Sequence, residues 1–534
     1  MPKFKIDNRE IEFEPGDTIM RAIYRHGIDI PHYCWHPGLS VAANCRMCLV
    51  EVLPPPGRRG PMMDVLGWDS EAETYLLEKK PKLVPSCQQV VSEGMEVLSE
   101  SSPHVERARS AVQEFLLLNH PVDCPTCDQA GECRLQDYWL EHQHAKKRMT
   151  DEILHMPKAQ VFGPTIVYDA ERCVLCTRCI RVCEEVAKDP VLSKRERGNL
   201  SEIVLAPGRQ LDHAYTLMTE YVCPVGALTS QDFRFKARVW FLRSARTVCV
   251  GCATGCTAFA DFDPRNQRVY RYRPRENLAE NKYWMCDEGM LDYHRIHEHR
   301  LLEARVRGEH AERSLAMAEA ARALMGVDPD RLAVVLGIQH SNEDNFALLT
   351  LARDFIGAGN FFIAGRPAGE GDDILRDPDK NPNRAGVVAL ATTTPPGSFE
   401  ELLAALEQGE VTHVLALGSD LPDATAGKTL ERARAIVVLG THTSGFVEHA
   451  TVALPASSWA ECDGTFVNVK GVAQESERVI RPVGDSLPAW ALVGELGRAM
   501  GFAVEYKKLR EVREAMAPAP GAAVVGSRHL TISE

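Results

Sequence analysis

The sequence predicts a multidomain α+β chain, and three observations carry that prediction. Its 534 residues exceed what a single hydrophobic core usually organises. All 17 cysteines except Cys462 fall between residues 34 and 286, in four clumps at short spacing. From about residue 298 the pattern changes to apolar strand runs alternating with helical stretches, as in an α/β domain with a largely parallel sheet.

Composition narrows the function classes. A formal charge of −13 argues against nucleic-acid binding, which needs a basic surface. No apolar run approaches the roughly 20 residues that span a bilayer. Met1-Pro-Lys-Phe-Lys-Ile-Asp7 lacks the apolar core of a signal peptide and the Arg/Ser-rich pattern of a presequence. The expected location is therefore a bacterial cytoplasm or, through partners, the cytoplasmic face of a membrane, where the chain would be peripheral. Disulfide frameworks belong to small secreted chains, so the clumps read as metal–thiolate sites. Zinc is the alternative for any one clump, but four with ferredoxin-like spacing favour iron–sulfur clusters.

Residues 1–100 open as a hairpin, Phe4–Ile6 and Ile11–Phe13, with the turn at Asn8-Arg9. Pro15-Gly16-Asp17-Thr18 then caps a helix over 19–26 that Gly27 ends. Strand, strand, helix and a cysteine-bearing loop predict a β-grasp ferredoxin. Its cysteines, Cys34, Cys45, Cys48 and Cys87, differ from the plant-type C-x4-C-x2-C…C pattern mainly in the first gap, which predicts a 2Fe–2S cluster. Residues 53–82, with Pro54–Pro61 as a loop signal, read as a surface insertion.

Residues 101–150 form a second domain. A helix over Pro103–Leu118, apolar at Val105, Ala108, Val112, Phe115 and Leu116, delivers His120, Cys124, Cys127 and Cys133. Three clustered cysteines supply three ligands to a 4Fe–4S cluster, and His120 is the nearest fourth donor.

Residues 151–240 carry Cys173, Cys176, Cys179 and Cys183 in C-x2-C-x2-C-x3-C spacing, the run of a bacterial-type ferredoxin. A proline normally follows the last cysteine of such a run, but here Glu184 does, and the Cys-Pro pair is Cys223-Pro224. Cys173, Cys176, Cys179 and Cys223 therefore form one 4Fe–4S set and Cys183 is left without a cluster. The places where a second cluster would need cysteines hold His213, Thr216 and Thr219, so one half of an ancestral two-cluster fold has lost its site.

Residues 241–297 hold a fourth set, Cys249, Cys252, Cys256 and Cys286, also read as 4Fe–4S. The nearby His294, His297 and His299 read as a polar linker. Residues 298–534 form the α/β domain: strand at Arg331–Gly337, helix at Phe346–Ile356, strand at Asn360–Gly365, and continued alternation through Glu400–Leu406, Val411–Gly418, Leu430–Arg434 and Ala435–Gly440. Gly357-Ala358-Gly359 follows a helix rather than a strand, so it reads as a helix stop and not a dinucleotide loop. No NADH, FMN or molybdopterin site is expected in this chain, and no catalytic residue acting on a substrate.

The ordered motifs resemble the 75 kDa-type (G-type) iron–sulfur subunit family of bacterial NADH–quinone oxidoreductase, respiratory complex I. The resemblance rests on Cys34…Cys45-Arg-Met-Cys48, His120-Pro-Val-Asp-Cys124-Pro-Thr-Cys127, Cys173-Val-Leu-Cys176-Thr-Arg-Cys179 and Cys223-Pro-Val-Gly-Ala-Leu228, and it covers residues 1–297. Cys249–Cys286 and Leu454–Asn468 resemble molybdopterin oxidoreductases, the second more loosely. The resemblance implies one 2Fe–2S and three 4Fe–4S clusters in the peripheral arm of a proton-translocating complex. The partners it implies are an NADH/FMN-binding subunit, a 2Fe–2S thioredoxin-like subunit and a ferredoxin-like connecting subunit leading toward quinone. An NAD-linked formate dehydrogenase or a hydrogenase-associated electron-transfer subunit is the alternative. Either catalytic form needs metal ligands beyond Cys286, where Cys462, read as a buried structural thiol, stands alone.

Overall fold

The computed structural model describes every residue except 54–59, 61, 70, 143–147, 392, 394, 505 and 517–534, with Trp68 described by its backbone alone. The chain divides into two compact units, the first running from Met1 to Trp240 and the second beginning at Phe241.

In the first unit, strands β1 (Lys3–Ile6), β2 (Arg9–Glu12), β3 (Leu49–Leu53), β6 (Leu83–Pro85) and β7 (Glu96–Leu98) form a sheet of order β2-β1-β7-β3-β6. Strands β4 (Met62–Asp69) and β5 (Thr74–Pro81) pair separately as a hairpin within the expected insertion. The proline-rich loop predicted before it lies almost wholly outside the described residues. The β1–β2 turn centres on Asp7 and Asn8, at φ 42° and 69°, one residue earlier than the sequence suggested. Two successive left-handed residues match the right-handed twist of the paired strands. Helix α1 (Ile19–Tyr24) is capped by Thr18, whose hydroxyl accepts from the Arg21 N–H. Its buried Ile19, Met20 and Ile23 pack on Phe4, Ile6, Val50 and Val97 of the sheet.

Helix α2 (Pro103–Leu117) begins at the Ser102 cap, and α3 (Arg134–His142) packs against it. The buried face of α2 differs from the expected apolar stripe. Phe115 is 74% exposed, while Arg109 and Gln113 are buried. Those two polar side chains find partners inside: Arg109 donates to Ser99 Oγ at 2.6 Å, and Gln113 accepts from Tyr33 OH at 2.6 Å and donates to the Leu135 carbonyl at 2.9 Å. Hydrogen bonding, not hydrophobicity, decides which face turns inward.

Next come β8 (Gln160–Val161), β9 (Ile166–Tyr168), α4 (Arg178–Arg181), β10 (Leu192–Arg195), β11 (Glu202–Leu205), α5 (Leu217–Tyr221) and β12 (Leu228–Ser230). Strands β12-β9-β8 and β10-β11 make two small antiparallel sheets. A π-type turn, Val182–Val186, continues α4.

The second unit starts with an antiparallel sheet, β13 (Arg243–Val248), β14 (Thr257–Asp263) and β15 (Arg268–Pro274), then α6 (Asp287–Leu291). Its main body is the predicted α/β domain. The elements are β16 (Arg305–Val306), β17 (Glu309–His310), α7 (Arg313–Leu324), β18 (Leu332–Gly337), α8 (Asn342–Thr350), β19 (Asn360–Ala364), α9 (Arg384–Leu390), α10 (Phe399–Gln408), β20 (His413–Leu417), α11 (Gly427–Leu430), β21 (Ala435–Gly440) and β22 (Val452–Pro455). A small hairpin, β23 (Gly464–Val467) with β24 (Ala473–Ser476), precedes α12 (Ala489–Ala499) and α13 (Leu509–Met516).

Sheet order is β17-β16-β22-β21-β20-β18-β19, with β22, β21, β20, β18 and β19 mutually parallel. Both faces are covered. Val334, Leu336, Leu415 and Leu439 join one core with residues of α7, α8 and α12, while Ala333, Val335, Val414 and Val438 join another with α10. Burial on both faces explains why these strands read as unbroken apolar runs. The helix expected over Leu430–Arg434 is instead the preceding turn, α11. Gly357 stops its helix at φ 85°, as expected.

The carboxyl rim of this sheet is tied to the connecting segment by a buried ion pair. Arg300 Nη2 meets Glu461 Oε2 at 2.6 Å with both side chains at most 3% exposed. Arg300 also donates to the carbonyls of Thr441 and Ile296, and Glu461 accepts from the Ser458 N–H. Removing one partner strands a buried charge, so Arg300→Met is expected to destabilise the second unit by roughly 3–5 kcal/mol. Arg300→Met with Glu461→Leu should recover part of that loss. Hydrogen exchange at β20 and β21 in the two variants checks both.

Candidate iron–sulfur sites

The first set sits on loops of the β1–β7 sheet. Cys34, Cys48 and Cys87 are buried and Cys45 is half-buried. Ala43 and Arg46 adopt left-handed backbone, φ 50° and 61°, which curls the loop around its sulfurs. The side chains fall into two hydrogen-bonded pairs, Cys34 with Cys45 and Cys48 with Cys87. Sharing a proton in this way pulls Cys45 and Cys48 below the usual thiol range and pushes Cys34 and Cys87 above it. Two sulfur pairs suit a two-iron rhomb, one pair to each iron.

In the second set, Cys124 starts a short 3-10 turn, and Cys127 and Cys133 are buried. Burial pushes Cys133 up to about 11. His120 is half-buried, and burial, then the charge of Arg172, lowers it to about 4, leaving a neutral imidazole at pH 7. Arg172 also acts on Cys127, so it is a cation shared by His120 and Cys127. Arg172 Nη2 donates to Asp123 Oδ2 at 3.0 Å.

In the third set both Cys223 and, more weakly, Cys183 act on Cys179, but their other surroundings differ. Leu175 and Thr177, interleaved with the cysteines, are left-handed at φ 53° and 62°. Such backbone is costly for a β-branched residue and turns amide groups toward the sulfurs, with the Leu175 N–H 3.4 Å from Cys173 Sγ. Cys223 lies electrostatically beside Cys173, Cys176 and Cys179. Cys183 is fully buried on the π-type turn, and after burial its strongest neighbours are Asp189 and Glu184. Thr216 and Thr219 are also buried, and the Thr219 hydroxyl donates to the Thr216 carbonyl at 2.7 Å. Helix α5, which carries Thr219, packs on the turn that carries Cys183. Where a second cluster would sit, there is packed hydroxyl and apolar side chain.

In the fourth set all four cysteines are buried. Cys249 follows β13, and its amide donates to the Cys256 carbonyl at 2.7 Å. Cys286 caps α6, its sulfur accepting from the Gly289 N–H at 3.3 Å. A Cβ on Gly289 would stand 3.0 Å from Cys249 Sγ and 3.4 Å from Cys286 Sγ, so glycine leaves room for both sulfurs.

Across the sets, burial raises the thiols: Cys173 and Cys176 to about 11, Cys223 and Cys286 to about 12. Such thiols ionise only against a compensating positive charge, which bound iron supplies while protons leave. Among the described residues no three His, Cys, Asp or Glu side chains converge at single-ion spacing. A four-iron cube takes each thiolate on a different iron and spreads them wider than one zinc does. The donor chemistry, sulfur grouping and glycine clearances fit iron–sulfur clusters.

The three sets of the first unit are physically joined. Arg181 Nη2 donates to the carbonyls of Cys34 at 2.6 Å and Cys176 at 3.2 Å. Asn44 Nδ2 donates to the Leu175 carbonyl at 3.1 Å. The Arg134 N–H donates to the Pro224 carbonyl at 3.2 Å, and a Cβ on Gly226 would lie 2.2 Å from Cys127 Sγ. Sequence reading missed Arg172, Arg178, Arg181, Gly226 and Gly289. Arginines interleaved with cysteines in a buried run were the available signal.

In the second unit, strand order reverses between β18 and β20, the place where such sheets bind ligands. The crevice there, lined by His340, Asp420, Trp459 and Cys462 among others, holds a cavity of about 20 Å³, room for roughly one water. The Cys462 thiol donates to the Ser458 carbonyl at 3.5 Å. His297 is neutral, lowered by burial to about 4, and accepts from the Val269 N–H at 3.0 Å.

Comparison with known proteins follows this order of sites. Family models match for a 2Fe–2S cluster binding domain (residues 2–102), the NADH-ubiquinone oxidoreductase-G iron-sulfur binding region (109–148), the ferredoxin-like domain of NADH-quinone oxidoreductase subunit 3 (163–229) and molybdopterin oxidoreductase (315–499). The chain is 34% identical over 367 residues to the NADH-quinone oxidoreductase G subunit of Rickettsia conorii, covering 68% of this chain and 50% of that protein. The chain belongs to the G-type iron–sulfur subunit family of NADH-quinone oxidoreductases. Subunit 3 of Thermus thermophilus is 36% identical, over 58% of this chain and 40% of that one. The mitochondrial iron-sulfur protein 1 of Solanum tuberosum is 33% identical, over 67% and 45%. The chain spans about half the length of the curated relatives it matches, or less.

Two variants separate the cysteines of the third set. Cys183→Ser should keep full iron, whereas Cys223→Ser should lose about four iron atoms per chain. Gly226→Ala should displace Cys127 Sγ and deplete the second set while the Cys249 signal persists. Iron analysis with low-temperature EPR reads both.

Proposed function

We propose that this chain is an electron relay, carrying electrons from an NADH/FMN subunit toward quinone within a proton-translocating NADH–quinone oxidoreductase. The supporting observation is the chain of direct contacts that runs from the Cys34 loop through Arg181 to the Cys173–Cys223 set, and on through Gly226 to Cys127. In this reading the first set holds a 2Fe–2S cluster and the other three hold 4Fe–4S clusters. His120 joins Cys124, Cys127 and Cys133, and Cys249, Cys252, Cys256 and Cys286 form the last site. The clusters supply one-electron chemistry; the protein grips them, excludes water and sets their charge environment.

Partners in this reading are the NADH/FMN subunit, a 2Fe–2S thioredoxin-like subunit and a ferredoxin-like connecting subunit, with the membrane reached only through the complex, on its cytoplasmic side. No helix among the described residues is long and apolar enough to cross a bilayer.

Anaerobic purification with metal analysis tests the whole assignment. About 14 iron atoms per chain and no molybdenum are expected. Stoichiometric molybdenum would overturn it, and about 10 iron would remove one cube. At the second set, His120→Cys replaces a neutral ligand with a thiolate, so the cluster should persist at a lower midpoint potential. An unchanged potential and spectrum in redox-titrated EPR would rule His120 out as a ligand.

A further inference from the structure

Two arginines lie between the first and third cysteine sets, and among the described residues neither is paired with a carboxylate. Arg178 and Arg181 are 6% and 7% exposed. Arg181 donates through Nε to the Thr177 carbonyl at 3.3 Å, through Nη1 to the Ser40 carbonyl, and through Nη2 to the carbonyls of Cys34 at 2.6 Å and Cys176 at 3.2 Å. Arg178 donates to the Val222 carbonyl at 3.2 Å, next to Cys223, and to the Trp35 carbonyl, next to Cys34. Every one of these acceptors is a neutral backbone oxygen.

A guanidinium bonded only to carbonyls keeps its whole charge, and away from water that charge acts strongly on its neighbours. Burying two cations without a carboxylate is expensive unless anions lie close by. The groups that provide them are the thiolates on either side, once clusters are bound. The planar fork also does what a point charge does not: one guanidinium holds carbonyls from both loops and so fixes their spacing.

We propose that Arg181, with Arg178 behind it, is a positioning and charge-tuning residue shared by the 2Fe–2S site at Cys34 and the 4Fe–4S site at Cys173–Cys223. It locks the two loops together and raises both midpoint potentials, because each reduction adds one negative charge beside a fixed positive one. The inference rests on the relay reading above.

The test uses the full-length chain, loaded anaerobically, in EPR-monitored redox titrations that resolve two-iron from four-iron signals. Arg181→Gln keeps a hydrogen-bonding side chain and removes the charge. It should move both midpoints negative, lowering the reduced-to-oxidised ratio at fixed potential by about three- to tenfold, where tenfold is 59 mV for one electron. Arg181→Lys restores the charge and should stay within about twofold of the parent. Loaded Arg181→Gln with unchanged midpoints overturns the proposal, as does a lysine variant that shifts as far as the glutamine one.

Should Arg181→Gln not hold iron, Glu185→Gln carries the test. Glu185 accepts from the Ser40 N–H at 2.8 Å, beside the carbonyl that Arg181 holds. Losing its negative charge should move both midpoints positive, and no movement overturns the tuning role. A parent chain without either signal would instead sink the relay reading, and this inference with it.

Discussion

Sulfur that must become anionic inside a protein is the constraint on which this structure turns. All seventeen cysteines occupy buried or half-buried positions, and burial raises most of the resolved thiols. A thiolate there needs nearby positive charge, and the fold supplies it from two sources. One is the metal that the donor sets fit. The other is a group of cations placed against the loops, Arg172 near Cys127 and Arg178 and Arg181 between the first and third sets.

The local backbone follows from the same requirement. A chain wrapping several sulfurs around a compact object must curl tighter than a strand or helix allows. The left-handed Ala43, Arg46, Leu175 and Thr177 all lie in cysteine-bearing loops. Their strain, of order 1–3 kcal/mol each, is held by surrounding burial and by bonds such as that from Arg181 to the Thr177 carbonyl. Glycine appears where a Cβ would strike sulfur, at Gly226 and Gly289.

The second unit shows a doubly wound sheet architecture with a narrow crevice at its switch point. Its strand order places a switch point at β18 and β20, yet Trp459, His340 and neighbouring side chains leave a cavity of only about 20 Å³. The Arg300–Glu461 pair and its carbonyl partners bind the same rim together. A domain built like a ligand-binding enzyme domain can persist as a scaffold, because fold and site are separable.

Much of this was legible in the residues themselves. Cysteine spacing marked out four candidate donor sets, the Cys223-Pro224 pair pointed to Cys223 rather than Cys183 as a ligand, and long apolar runs announced a parallel sheet buried on both faces. These signals are local, since ligand spacing and strand burial are written along the chain. What stayed open depends on residues far apart in it. The inward face of α2 was misread because Arg109 and Gln113 find partners at Ser99, Tyr33 and Leu135, which no periodicity reveals. The bridge by Arg181 joins Cys34 to Cys176 across 142 positions of chain. Residue order alone settles which atoms are available to hold clusters. The folded arrangement settles which of them become neighbours and what charge stands between them, because burial and electrostatics act through space rather than along the chain.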